Sequence, residues 1–381
     1  MEQVSDTRVE GYRHSRGWAN NQKVYFVADF SRPIDKFELV GNKMYGRASF
    51  ATKENEQIYV KVALSPVSID GAKANLEAEL PDWNFKRTIA AAEKAWSQEL
   101  SKMEVTSDDE AAKRTFYTAL YHALIHPSIL NDINGEYPLM ENEGVGKVEA
   151  GHNRYSVFSL WDTYRNLHQL MTLVYPEKQL DMVRSMVDIY KEWGWMPKWE
   201  LFGRETFTME GDPAIPVITD TWLKGLRDFD MDAAYAAFIK SATTPGAQNL
   251  MRPDIDPYLE KGYVPLGMYS ADASGDNSVS HALEYYIADY ALSMLATDLG
   301  HADDAARFHA QSLQYKHYYC PEYGTFRPRW KDGSFLAPFN PRQGENFEPV
   351  RGFHEGSAWN YTFYVPHDVL GLAKLMGGRK A

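Results

Sequence analysis

The hydrophobic period changes once along this chain, and that change confines it to few architectures. Up to Ser65 apolar and polar residues alternate: "KVYFVADF" from Lys23, "MYGRASF" from Met44 and "QIYVKVALS" from Gln57 read as strands parted by polar and glycine-containing turns. Beyond it apolar residues recur three and four apart, first in "IDGAKANLEAEL" and in the stretch 85–103. From Ser107 onward helical patterns dominate, at 109–126, 162–174, 176–193, 212–227, 231–241, 278–299, 302–318 and 357–376. In the clearest of these Leu283, Tyr286, Ile287, Tyr290, Met294 and Leu295 fall on one predicted face. Strands first and helices afterwards predict a mainly α chain with a small β region, the β part too short to close a sandwich alone.

The predicted helices are separated by loops too long for a simple bundle, notably 131–156 and 321–351, and long ordered loops are more often functional than idle. The pattern fits a helical toroid whose site is built from loops. Residues 1–66 form the β region, 67–106 a helical linker and 107–381 the main helical domain.

Composition excludes several classes of partner. The net charge of −12 is spread along the sequence without a basic run, which suggests neither a nucleic-acid groove nor a polybasic membrane patch. No stretch is apolar and long enough for a membrane span, and the charged opening "MEQVSDTRVEGYRHSRGW" has no apolar core of an export signal. Cys320 is the sole cysteine, so an intrachain disulfide, a cysteine-based zinc site and a redox pair are all excluded. The aromatic content of 14% exceeds what a core strictly needs, and flat rings stack well on sugar CH faces.

The segment "RGFHEGSAWNYTFYVPHD" places Glu355 among Phe353, Trp359 and Tyr361, with Gly352 and Gly356 permitting a sharp turn. An apolar setting disfavours the charged form of a carboxyl group, as a general acid requires. The competing structural role is that of a cap for the helix opening near Ser357. Asp162, in "SLWDTYR", reads on its own as a helix-terminal acid with Arg165 three residues on as a local partner. His354 could donate to a sugar hydroxyl or satisfy a loop carbonyl. Asp212, Asp276 and Glu284 read as caps or helix-face charges. His301, His309 and His317 recur every eighth residue, a spacing that drifts around a helix and does not converge on one metal. Asn360-Tyr361-Thr362 matches a glycosylation sequon by coincidence.

Six dispersed segments, "SLWDTYRNLHQLMTLVYPE", "MPKWE", "MEGDPAIPVITDTWLKGLRDFD", "SVSHALEYYIADYALSMLA", "GTFRPRW" and "FHEGSAWNYTFYVPHDV", resemble glycoside hydrolase family 92, and "GYRHSRGWANNQKVYFVADFS" resembles the end of that family's N-terminal sandwich. The resemblance implies a calcium-dependent, inverting exo-α-mannosidase of the α-1,2 type, acting on terminal mannose of glycans, periplasmic or extracellular. The implied fold is the end of a β-sandwich, a helical linker and an (α/α)6 toroid. It also implies that Glu355 is the general acid and that Asp162, with Trp161 beside it, binds the sugar, with His354 next to the acid as a further candidate for a sugar hydroxyl.

An inverting glycosidase pairs its acid with a second carboxylate about 6.5–9.5 Å away that activates water. The family's base motif, and a "GNEP"-like motif associated with calcium, lie downstream of the acid, and neither occurs in 356–381. The expectation is therefore a chain truncated at both ends, with an incomplete toroid, calcium ligands beyond it, little hydrolysis alone, and a possible complementing C-terminal fragment as partner. Alternative readings are a non-catalytic sugar-binding remnant and another (α/α)6 glycosidase such as an α-glucosidase.

Overall fold

The computed structural model of the protein describes residues 1–42, 44–268, 277–343 and 352–378. The chain divides into two compact units, residues 1–157 with 201–204, and residues 158–200 with 205–381. It is mainly helical with small sheets.

The first unit opens on an antiparallel sheet of strands β1 (Glu2–Ser5), β2 (Arg8–Ser15), β3 (Gln22–Phe30) and β6 (Val60–Ser65), in the order β1-β2-β3-β6. A separate hairpin pairs β4 (Lys36–Val40) with β5 (Tyr45–Ser49). The period-2 segments become β3, β5 and β6, while β1, β2 and β4 are too polar or too short to stand out in the sequence. Helix α1 (Ile69–Glu79) starts at Ser68, whose hydroxyl accepts from the Gly71 N–H at 2.9 Å. It lays Ala72 and Leu76 on Val27 and Ala63 of the sheet, forming a small buried cluster.

Two further helices follow, α2 (Phe85–Leu100) capped by Asn84 and α3 (Glu110–Ala123) capped by Asp109. No residue of α2 is buried. The stretch 131–156, expected as one loop, carries short pairs: β7 (Ser128–Ile129) with β10 (Tyr155–Ser156), and β8 (Glu136–Pro138) with β9 (Val145–Lys147). Its start is anchored by Asp132, whose carboxylate accepts from Ser65 Oγ at 2.6 Å and from Asn75 Nδ2 at 2.8 Å.

The second unit contains α4 (Leu160–Thr163), α5 (Leu167–Val174), α6 (Pro176–Trp193), α7 (Ala214–Leu223), α8 (Met231–Thr243), α9 (Ile255–Lys261), α10 (Ser278–Leu299), α11 (Ala302–Ser312), α12 (Ala358–Tyr361) and α13 (Val369–Leu375). The helix expected over 162–174 breaks at Asn166, whose φ of −161° is extended, so α4 and α5 are distinct. That expected over 357–376 is likewise two short helices, because Pro366 has no N–H to continue the ladder. Helix α9 is a single short element that periodicity does not reveal.

Helix α10 is the axis of this unit. The single apolar face expected of it is corrected: Met294 is 43% exposed, whereas residues on every side of the helix, Val279, Ala282, Tyr285, Ala288 and Leu292 among them, are buried. An amphipathic stripe marks a helix with one wet side, and this one has almost none. The aromatic surplus serves packing here, since Tyr258, Tyr285, Tyr286, Tyr315 and Tyr318 belong to one core cluster. Their hydroxyls need partners inside, and they find them: Tyr258 and Tyr285 donate to Asp289 and Asp254 at 2.7 and 2.8 Å. Arg252, fully buried, joins Asp212 at 3.1 Å and Asp289 at 2.7 Å.

Among the described residues no helix is long and apolar enough to cross a membrane.

Candidate active site

The loop before α12 is built to hold one carboxylate in an unusual pose. The Gly352 carbonyl accepts from the N–H groups of Val279 and Ser280 at 2.9 and 3.2 Å, closing the first turn of α10. Gly352 has φ of +101°, and a Cβ there would stand 2.5 Å from Pro328 Cγ, so no larger residue fits. The His354 N–H donates to Ser280 Oγ at 2.9 Å, and Tyr361 Oη donates to the His354 carbonyl at 2.6 Å. Pinned on both sides, the next residue, Glu355, sits in the left-handed region at φ 47°. Outside glycine that region is costly, and such strain gathers at functional positions.

Glu355 does not cap α12. Ser357 takes that place, with its N–H donating to Asn360 Oδ1 at 3.0 Å. The Asn360 side chain is thereby committed, and the Thr362 hydroxyl accepts from the Phe326 N–H at 2.9 Å, so two sequon residues serve the fold.

Glu355, Trp161 and Asp162 line one cavity of about 270 Å³, together with Arg165, Asn360, Tyr361 and Tyr364. Residues nearly two hundred positions apart in the chain thus share one concave surface within the second unit. The aromatic surroundings differ from those expected: Phe353 is buried in the core and Trp359 is 48% exposed, and neither lines the cavity. The rings that do are Trp161, Tyr361 and Tyr364. Sequence neighbours in a turn point to opposite sides, so proximity in sequence is a poor guide to enclosure.

Solvent reaches the Asp162 side chain, yet partial burial raises its pKa, with the nearby Arg165 charge opposing. Arg165 is not its ion-pair partner. The guanidinium stands 4.9 Å from the ring centres of both Trp161 and Tyr364, and it reaches Glu284 Oε1 at 3.4 Å.

His354 is not on the cavity wall. Its ring is buried, edge-on to Trp161 at 5.6 Å, with Nδ1 at 3.0 Å from Asn277 Nδ2 and 3.4 Å from Glu210 Oε1. Nε2 is 3.9 Å from Glu355 Oε1, so the imidazole stands behind the carboxylate. The fully buried Glu210 also lies 2.7 Å from His281 Nε2. Burial, the largest single influence, lowers the His281 pKa, but the Glu210 and Asp254 charges and the Glu210 hydrogen bond act together against it, and the net direction is upward.

Glu284 is the residue that the sequence reading placed on a helix face. It lies 4% exposed on α10 behind the cavity wall, and burial pushes its carboxyl up to about 8 against the pull of Arg165 and of the Trp161 N–H. The signal was present as an acid inside "LEYYIADY", where nearly every neighbour is apolar or aromatic. Asp212, also weighed as a cap, is an Arg252 partner in the core. Asp276 lies outside the described residues.

Among the described residues no three His, Cys, Asp or Glu side chains converge to hold a metal ion. The calcium implied by the resemblance therefore has no carboxylate cluster to hold it among the described residues. His301 stacks on Tyr235 at 4.6 Å, while His317 Nε2 meets Gln314 Oε1 at 2.9 Å.

The glycosyl hydrolase family 92 catalytic domain matches residues 71–381, and that family's N-terminal domain matches residues 1–65. A family GH92 α-mannosidase of Bacteroides thetaiotaomicron is similar with a TM-score of 0.87 and 34% identity, over 98% of this chain and 51% of its own. It has also been solved in complex with mannoimidazole. The inverting family GH92 mannosidase of Bacteroides thetaiotaomicron VPI-5482 has the same TM-score at 26% identity, over 98% of this chain and 52% of its own. An uncharacterized secreted glycosidase of Arthroderma benhamiae is 26% identical across 85% of this chain and 40% of its own length. The chain therefore spans about half the length of the solved relatives it matches, and by both of its matched domains it belongs to glycosyl hydrolase family 92.

Proposed function

We propose that the cavity between α4 and α12 binds the terminal mannose of an α-mannoside, with Glu355 as the general acid that protonates the departing oxygen. The observation that carries this reading is the convergence of Glu355, held at φ 47°, with Asp162 and Trp161 on one cavity of about 270 Å³. A single hexose fills a space of that order. Trp161 offers an apolar ring for the sugar's CH face, Asp162 a carboxylate for its hydroxyls, and the half-exposed Glu355 a proton at the rim. His354 stands behind Glu355 and edge-on to Trp161, so its buried ring backs both residues of the cavity wall.

The finer parts of the reading are the α-1,2 linkage, inversion, an (α/α)6 toroid to which these helices contribute, and action outside the cytoplasm. We keep as our proposal the division 1–66, 67–106 and 107–381 into sandwich end, linker and catalytic region. Inversion requires a second carboxylate and a water on the opposite face of the sugar. In this reading the described residues bind the sugar and present the acid.

Mannose release from α-1,2-linked mannobiose tests the proposal, with this chain alone and within the longest open reading frame that contains it, each with calcium and with a chelator. Glu355→Gln is expected to lower release at least about a thousandfold while leaving mannoside affinity within about threefold, since the amide keeps the shape and cannot give the proton. Undiminished release by Glu355→Gln sinks the acid assignment, and preference for glucobiose sinks the substrate.

A further inference from the structure

Behind the cavity wall one buried side chain gathers four groups. Trp161 Nε1–H donates to Glu284 Oε1 at 2.8 Å, and Tyr164 Oη–H to Oε2 at 2.5 Å. Arg165 Nη2 approaches Oε1, and Tyr364 Oη approaches Oε2, each at 3.4 Å. Trp161, Arg165 and Tyr364 are cavity residues, whereas Glu284 and Tyr164 are not. The wall is therefore not a chance juxtaposition of rings. Arg165 sits between Trp161 and Tyr364, and every member of that stack has a polar atom turned inward to the same carboxyl group.

The seat of Glu284 is itself made to measure. Gly211, at φ +81°, packs so close that a Cβ there would lie 2.4 Å from Glu284 Cβ and 3.1 Å from Cγ. The glycine admits the Glu284 side chain at that place and fixes its approach to α4. A ring held only by van der Waals contact can swing about χ1 and χ2, but an indole whose N–H is bonded to a buried acceptor cannot do so without leaving that acceptor unsatisfied.

We propose that Glu284 is a positioning residue that locks Trp161, Arg165 and Tyr364 into a preformed sugar platform, without touching the sugar itself. The inference rests on the mannose-binding reading for its ligand, but its hydrogen-bond content can be measured without any ligand. Pre-organisation of this kind acts on affinity and on orientation, because the wall is ordered before the sugar arrives. Glutamine at 284 keeps an amide oxygen that accepts from the Trp161 indole, and its –NH2 pairs with Tyr164 once that hydroxyl turns from donor to acceptor. Leucine can do neither.

The test uses the full chain labelled with ¹⁵N, with the Trp161 indole N–H identified by its loss in Trp161→Phe. Wild type and Glu284→Gln should show that N–H downfield and slow to exchange, while Glu284→Leu should move it upfield and speed exchange at least about tenfold. Methyl α-mannoside, titrated into the same samples, should bind at least about tenfold more weakly to Glu284→Leu and within about threefold of wild type to Glu284→Gln. Should Glu284→Leu not fold, Tyr164→Phe removes one donor and should by itself broaden the Trp161 signal. An indole signal and a mannoside affinity unchanged in Glu284→Leu, or in Tyr164→Phe where the former does not fold, overturn the proposal. If the indole responds as expected but wild type binds no mannoside, the positioning role stands and the sugar reading falls.

Discussion

Gly211 and Glu355 show how much of a site can depend on two backbone conformations. The first is glycine because its neighbour leaves no room; the second is in a conformation that glycine would adopt at less cost, and is glutamate nonetheless. Gly211→Ala is expected to destabilise the protein by about 1–3 kcal/mol, from a strained φ and from overlap with Glu284, as a lower urea midpoint with unchanged slope would show. Of the residues singled out in the sequence, Trp161, Asp162 and Glu355 share the cavity, and each was identified by the motif around it. His354 was legible as part of the same motif, but its direction was not, because adjacent residues of an irregular loop carry no periodicity. Glu284 and Gly211 stayed hidden for a related reason. Their importance is a contact between segments more than seventy residues apart, which no local pattern encodes.

Among the elements, α6 and α10 coincide with the predicted spans because their ends are punctuated. Pro176 opens α6, and the left-handed glycines Gly194 and Gly300 close the two helices at φ 90° and 83°. Within the unit that α10 organises, charge is buried with compensation. Arg252→Ala would leave Asp212 and Asp289 without their cation, and a loss of about 3–5 kcal/mol is expected in equilibrium unfolding. Helix α2 is the opposite case. It has good propensity and a cap at Asn84, but no buried residue, so its amides should exchange with deuterium at least about a hundredfold faster than those of α10. Equal protection of the two helices would mean that α2 is covered in solution.

For the molecule as a whole, the buried titratable groups predict a stability that slopes on both sides. Glu284, raised from 4.5 to about 8, stays protonated in the fold after it would ionise in the unfolded chain, so its contribution falls as pH rises between those values. His168 is buried against Gln179 Oε1 at 3.0 Å, and burial lowers its pKa from 6.5 to about 4. Its contribution is complete above 6.5 and is lost as pH falls toward 4. From pH 6.5 to 8 only the first slope of the pair remains, so the urea midpoint should drop over that range in wild type and drop less in Glu284→Gln. The mainly helical class was legible from the single change of hydrophobic period. The division into compact units was not, because residues 201–204 return to the first unit after 43 residues of the second.

That return has a consequence for how the chain is made. Phe202 N–H donates to Ser156 Oγ at 2.8 Å and the Glu141 N–H to the Gly203 carbonyl at 2.9 Å, so the N-terminal unit is stitched by residues synthesised well after Val157. On the ribosome its sheet and first helix can form early, but the stretch around Glu141 and Ser156 must wait until Arg204 has emerged. Translation therefore delivers the two units as overlapping tasks, with α6 already outside the tunnel before the first unit is closed.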